Sequence, residues 1–572
     1  MKRCHVGKVV KLSVYAFGLL GAVMSLPLGH IAQANTNDNE VSTRPYYGLY
    51  LSGRYANLNS DFDNAVAILT EAVRRNSEHG NDVEPVLIGE LRDSLLRFGD
   101  IEKAISFSEI LGQSGSSDYN TRMLLLAKAV HAGDFATAQE LAKKIPNGRV
   151  FNVIKNLLKG WIAVGLNNKQ LALSEISQLK ERFPGLYSFM KGQMLNQLGD
   201  YKGAEEAYME PEGYVSPMQL PTVTFRAYIR SIFNQGRKDE VRDLVTEFIS
   251  KIGDGPALSE DLRLLMEGKE LVPLVKTAEQ GLGEAVYQVA QFLNAPTNDL
   301  VLDLTRVAEY FHPEHRNIKM SVAQYMMGNE RFDEAVAVYD QVKDLYPFFW
   351  QSEIYKAEAI WEKGDKEKAL DLLDDIASDR PSDLVALDSM ARFYNRDQNY
   401  QDMAKTMDRL IGRINAPTHA HWGYYYLQGI SYERLKEWPI AEKAFLKALE
   451  LSPDEPDVLN YLGYTWVDKG LHLEKAQGML RKAVDARRGS GAIADSLGWA
   501  YYKLGKYEDA VKLLERAVAL DPNEAVIVEH LGDAYWQVGR KREARFQWNR
   551  AMKWPSEEVD VDAVREKLQK GL

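Results

Sequence analysis

Gly429, Gly463, Gly498 and Gly532 follow one another at intervals of 34, 35 and 34 residues, each inside the same order of large and small side chains. Counting Trp422 as the first position of a unit, Gly429 falls at position 8, Tyr432 at 11, Ala441 at 20, Phe445 at 24, Ala448 at 27 and Pro453 at 32. The unit opening at Gly491 repeats the order with Leu497, Gly498, Tyr501, Ala510, Leu514, Ala517 and Pro522. The unit opening at Ala525 does so with Leu531, Gly532, Tyr535, Ala544, Trp548 and Ala551. Self-similarity at such a period marks a copied supersecondary unit, so the chain grows by stacking units rather than by closing one core.

Small residues at positions 8, 20 and 27 let two antiparallel helices approach closely, and bulky residues at 7, 11 and 24 fill the space between them. Proline at 32 ends the second helix, because it has no amide hydrogen and restricts the residue before it. The turns Lys503-Leu-Gly-Lys506 and Gln537-Val-Gly-Arg540 place glycine where a helix ends in a left-handed residue. This set of positions resembles the tetratricopeptide repeat family. The resemblance implies an all-α solenoid, a right-handed superhelix of stacked helix-turn-helix pairs, over most of the chain. Aligning on the position-20 alanine places units near Tyr46, Pro85, Tyr119, Val153, Gly185, Thr222, Leu282, Arg316, Trp350, Val385, Trp422, Pro456, Gly491 and Ala525. The pattern is weakest at 222, 282 and 385. Alternating runs of Val, Ile and Thr are missing, which also points away from sheet structure.

Residues 1–34 differ from the rest. Lys2, Arg3, Lys8 and Lys11 precede an apolar run from Leu12 to Leu26, then Pro27, Gly29 and Ala32-Gln33-Ala34. A charged start, a short apolar centre and a small-x-small ending read as a secretory signal cleaved after Ala34. A membrane-spanning helix needs about 20 apolar residues, more than this run supplies. Cys4 is the only cysteine and precedes the apolar run, so the expectation is a secreted, non-lipidated chain without thiols. Removing the four positive charges of this segment moves the formal charge from −11 to −15. Nucleic-acid affinity rests on neutralising phosphates, so no nucleic-acid partner is expected.

The expected organisation is a signal peptide (1–34), a flexible segment (35–45), an N-terminal array (46–250), an irregular helical interruption (251–283), a C-terminal array (284–555) and a C-terminal capping helix (556–572). Glycine and proline at Gly253-Asp-Gly-Pro256 and Gly281-Leu-Gly283 mark the interruption as either a bend or an elongated loop. No nucleophile elbow, phosphate-binding loop or His-Glu-x-x-His pair occurs. His312-Pro-Glu-His315 and His419-Ala-His421 read as solvated turn histidines, since metal sites need several convergent ligands. No catalytic residue, metal or cofactor is expected.

In this family, helix-A positions 2, 5, 9 and 12 tend to face the concave groove. In the last four units positions 5, 9 and 12 supply Tyr426, Asn460, Tyr464, Asp495, Trp499, Tyr502, Glu529, Asp533 and Trp536. An aromatic and acidic stripe suits a peptide bearing apolar and basic side chains. The competing reading is that these aromatics pack against neighbouring helices. Position 5 is never lysine, which departs from the members of the family that clamp a C-terminal carboxylate.

Leu459-Asn-Tyr-Leu-Gly-Tyr-Thr-Trp-Val-Asp468 and Ala494-Asp-Ser-Leu-Gly-Trp-Ala-Tyr-Tyr-Lys-Leu-Gly505 resemble the C-terminal repeats of large proteobacterial envelope members of the family. That group includes outer-membrane adaptors that deliver substrates to a carboxyl-terminal processing protease and so regulate cell-wall hydrolases. The resemblance implies a periplasmic scaffold or adaptor with envelope proteins as partners and Asp495, Trp499 and Tyr502 as contacts. Those adaptors are lipoproteins, whereas this chain offers no lipidation cysteine. The alternatives are a structural part of an envelope or polysaccharide-export assembly, or a glycan-binding module that stacks sugars on the aromatic groove.

Overall fold

A computed structural model describes residues 46–572 except 79–83, 117, 212, 253–255, 272, 294, 296–297, 346–349 and 554–558. The expected signal peptide and flexible segment lie outside the described residues. Among the described residues there is no strand, and no helix is long and apolar enough to cross a membrane.

The helices come in pairs joined by tight turns. The series opens with α1 (Tyr47–Leu58) and α2 (Phe62–Glu78), α3 (Pro85–Phe98) and α4 (Ile101–Gln113), and α5 (Tyr119–His131) and α6 (Phe135–Lys143). It continues with α7 (Arg149–Gly165) and α8 (Lys169–Ile176), α9 (Pro184–Gln197) and α10 (Tyr201–Tyr208), and α11 (Thr222–Asn234) and α12 (Lys238–Ile252). An unpaired α13 (Pro256–Met266) precedes α14 (Ala278–Phe292) and α15 (Asp299–Phe311), α16 (Arg316–Gly328) and α17 (Phe332–Leu345), and α18 (Gln351–Lys363) and α19 (Lys366–Asp379). Then come α20 (Val385–Arg396) and α21 (Tyr400–Ile411), α22 (Trp422–Arg434) and α23 (Trp438–Leu451), and α24 (Pro456–Lys469) and α25 (Leu473–Ala486). The last pairs are α26 (Gly491–Lys503) and α27 (Tyr507–Leu520), and α28 (Ala525–Gln537) and α29 (Lys541–Ala551), followed by an unpaired α30 (Val561–Lys570).

The turn within a pair has a local cause. At Gly199 the chain turns left-handed (φ 77°), and the next residue, Asp200, accepts a hydrogen bond from the Gly203 amide to start α10. Within a pair, the glycine at position 8 receives the bulky side chain at position 24. A Cβ added at Gly192 would lie 2.3 Å from Tyr208, and one at Gly532 would lie 2.5 Å from the Trp548 indole. Close helix approach and a large knob are therefore one device, repeated in both arrays, and this gives the 34-residue period its physical content.

Contacts divide the chain into two compact units between Leu372 and Leu373, inside α19, rather than at 251–283. In the unit that ends at Leu372, the stretch after α13 brings the chain back onto its own array. α14 packs on α7 and α9, and α15 packs on α3, α4 and α5. A Cβ at Gly281 would lie 2.2 Å from Trp161, a fully buried residue of α7. α14 is buried nearly all round, from Ala278, Gly281 and Leu282 to Val289 and Ala290. Burial on most faces is what a helix enclosed by others shows. Its departure from the repeat pattern at 282 follows, because it must fit its partner α15 on one side and α7 on the other.

Charge pairs fix this return. Arg97 of α3 donates to Asp303 of α15 at 2.8 and 3.1 Å and to Asp299 at 2.7 Å. His131 of α5 contacts Glu279 of α14 at 2.8 Å, and Tyr310 donates to Glu102 at 3.2 Å. Burial pushes the Asp303 carboxyl above its usual range, with Arg97 pulling the other way. The first helices α3, α5, α7 and α9 are thus covered by the chain's own α14 and α15.

Candidate functional site

The nine stripe residues lie on four first helices of the unit that begins at Leu373. Tyr426 is on α22, Asn460 and Tyr464 on α24, Asp495, Trp499 and Tyr502 on α26, and Glu529, Asp533 and Trp536 on α28. The structure sorts them into three groups.

Tyr426 packs into the apolar core between repeats. Its ring meets Tyr461 edge-on at 5.9 Å and Phe445 at 6.1 Å, and burial pushes its hydroxyl pKa up. Asn460 is buried too, at 6 % exposure, and its Oδ1 has no hydrogen-bond partner. A buried acceptor left unsatisfied costs about 1–3 kcal/mol. Tyr464, one turn further along α24, is half-buried.

The second group centres on Trp499. Its indole stacks on Tyr502 at 4.6 Å and 4°, and on His530 of α28 at 3.9 Å and 11°. Lys503 lies 5.2 Å from the ring centre, within cation–π range. His530 Nδ1 stands 3.0 Å from both Asp495 oxygens, and both side chains are buried. Burial by itself would lower the histidine pKa, but Asp495, with Glu529 and Asp533 beyond it, outweighs burial and raises it. Asp495 is therefore engaged within the chain rather than facing a partner.

A raised folded-state pKa means that the protonated pair stabilises the repeat fully below the unfolded histidine value of about 6.5 and loses that stability as pH rises through the folded value. The urea midpoint of the C-terminal unit is expected to fall over that window, and His530→Gln to flatten the fall. Midpoints measured across pH 5 to 9 for both proteins check this.

The third group is closed by α30. Lys567 donates to Glu529 at 2.8 Å and to Asp533 at 2.6 and 2.8 Å, and Trp548 Nε1 donates to Asp533 at 2.8 Å. Trp536 lies against Trp548 at 5.4 Å, Lys541 at 4.8 Å and Arg545 at 5.1 Å. A Cβ at Gly571 would lie 1.9 Å from the Trp536 indole. The acidic part of the stripe is thus neutralised from inside the chain.

His530 and Lys567 were missed by reading helix-A positions alone. The available signal was charge opposed at about one period: His530 follows Asp495 by 35 residues, and Lys567 follows Asp533 by 34. The 312–315 histidines also differ from expectation, His312 being buried and His315 half-buried rather than solvated. His315 Nε2 lies 3.1 Å from buried Glu284, and His312 Nε2 lies 3.4 Å from the Leu274 carbonyl. Burial, with His315 alongside, pushes His312 down to about 4. His419 and His421 remain at a turn, contacting the Leu451 carbonyl and the Thr418 amide. Among the described residues no group of three or more His, Cys, Asp or Glu could hold a metal ion.

Models of the tetratricopeptide repeat match residues 304–383, 426–491 and 498–539. A TPR repeat-containing protein of Pseudomonas aeruginosa is 22 % identical over 171 residues, 29 % of this chain and 28 % of that one. The chain thus spans little more than a quarter of that curated relative. Among solved structures, yeast Tom70 is 14 % identical with a TM-score of 0.30, covering 92 % of this chain and 95 % of that one. A chain of the APC/C Cut9–Hcn1 hetero-tetramer is 16 % identical with a TM-score of 0.33, covering 94 % and 98 %. MamA of Desulfovibrio magneticus is 19 % identical with a TM-score of 0.27, covering 30 % and 94 %. The matched repeats, the fourteen helix pairs among the described residues and the glycine-and-knob packing agree. The chain therefore carries tetratricopeptide repeats at the matched residues, and paired helices of the same kind run through the rest of the described residues.

Proposed function

We propose that the protein is a periplasmic adaptor that holds envelope proteins on the first-helix face of α22, α24 and α26 and delivers them to a carboxyl-terminal processing protease. The supporting observation is the contrast between the two arrays. In the N-terminal array the first helices α3, α5, α7 and α9 are covered by α14 and α15, whereas Tyr464, Trp499 and Tyr502 stay half-buried on theirs. Stacked, pre-positioned aromatics lose little entropy on binding and make good interface anchors. Two binding events on one scaffold raise the local concentration of a substrate at its protease.

The test is affinity purification of the tagged protein from its own cell envelope, with Trp499→Ala/Tyr502→Ala as the control variant, checked for unchanged helicity. Co-elution of a protease or cell-wall hydrolase that the variant loses supports the adaptor. Recovery of assembly or export components alone, retained by the variant, replaces it with the structural role.

A further inference from the structure

The last repeat already holds a ligand, and that ligand belongs to the chain. α30 reaches α28 with one lysine and a short apolar edge. Lys567 is 14 % exposed at its side chain and bonds two carboxylates that are themselves nearly buried, Glu529 at 9 % and Asp533 at 7 %. Val564 is fully buried and Leu568 packs beside it in the C-terminal core, so residues 564, 567 and 568 form one face at helical spacing. Val559 is buried in the same cluster ahead of the helix. Arg545 of α29 donates to the Leu568 carbonyl at 3.4 Å. The rest of the helix carries Asp562, Arg565, Glu566 and Lys570, whose ion pairs stay exposed and within the helix.

The N-terminal array shows that helices of this chain do lie across a first-helix face through charge pairs, there with the arginine on the array and the aspartates on the occupant. At α28 the polarity is reversed, with carboxylates on the array and lysine on the occupant. Two features separate α30 from α14 and α15. It is short, at 10 residues, and it packs on α29 and reaches α28 through Lys567 at the end of the array instead of being enclosed. Helices of that length have little stability of their own and depend on their docking face.

We propose that α30 is a displaceable self-ligand, and that the acidic face of α28 takes an amphipathic helix of a partner protein carrying the pattern apolar-x-x-Lys-apolar found at Val564, Lys567 and Leu568. This rests on the scaffold reading and specifies its partner. Displacement removes Lys567 from Glu529 and Asp533 and Gly571 from the Trp536 indole, and so extends the aromatic face from Trp499 to Trp536.

Two measurements test it. In the full chain, Val564→Asp/Lys567→Glu unseats α30, and a labelled peptide of residues 559–572 is then added in trans. The tethered helix competes in the unaltered chain, so the variant is expected to bind the peptide at least about tenfold more tightly. Adding Glu529→Gln and Asp533→Asn should remove that gain. Native-state hydrogen exchange on the unaltered protein should show α30 amides opening apart from those of α28 and α29. A variant that stays folded yet binds the peptide no better, or α30 amides that exchange only together with α28, would make α30 a permanent cap and overturn the proposal. Neither result depends on which envelope proteins co-purify, so its failure is distinct from failure of the adaptor reading.

Discussion

Replacing Arg97 with alanine is expected to destabilise the N-terminal unit by about 3–5 kcal/mol, the cost of leaving a buried carboxylate without its partner. Asp303 is 5 % exposed and already sits at a raised pKa, so loss of the guanidinium leaves it either charged and unpaired or protonated. The nearby donors do not replace it, since Asn120 reaches Asp303 only at 3.4 Å. The same change frees Asp299, which then keeps only the 2.9 Å bond from the Tyr325 hydroxyl among its described contacts. A paired change, Arg97→Met with Asp303→Leu, should recover much of the loss, because a packed apolar pair can match a buried ion pair. Urea unfolding of the two single variants and the double variant measures this as a cycle. Two single losses that simply add would show that Arg97 and Asp303 do not hold α15 to α3.

Trp548→Ala should cost about 3–5 kcal/mol and should act locally. Trp548 is fully buried, fills the space left by Gly532 and donates to Asp533. Removing it empties the last repeat and leaves Asp533 dependent on Lys567 alone. Stacked repeats pass stability mainly to their neighbours, so the loss should concentrate in α28, α29 and α30. Hydrogen exchange would then show lost protection there and retained protection in α22 to α25. Uniform loss across the C-terminal unit would mean that it melts as one cooperative block.

The repeat period was readable because each glycine and each knob answer a local need within one hairpin. Units placed near Tyr46, Pro85, Tyr119, Thr222, Val385, Trp422, Pro456, Gly491 and Ala525 meet helices beginning at or next to those residues. Near Val153 and Leu282 the helices begin four residues earlier, at Arg149 and Ala278. The return of α14 and α15 was not readable, because it rests on pairs such as Arg97 and Asp303 that are 206 residues apart and share no repeat position. Residue type does not say which distant helix a face will meet.

The stripe shows the same division. Side-chain class gave its acids and aromatics, but not that Asp495, Glu529 and Asp533 are already engaged by His530 and Lys567. Carboxylates facing an adjacent helix are answered by whatever that helix brings one period later. Trp499 and Tyr502 keep partial exposure because their stacking partners lie alongside them, within α26 and on α28.

Site-specific photo-crosslinking in the native cell separates the two arrays most directly. A photoreactive residue is placed at Tyr464 and Tyr502 on the C-terminal first-helix face, and at Tyr55 on α1, which is 71 % exposed beside Leu58 at 76 %. The account predicts adducts with another protein at 464 and 502 and none at 55. Adducts confined to position 55 would contradict it, moving the partner surface to the outer apolar side of the first repeat.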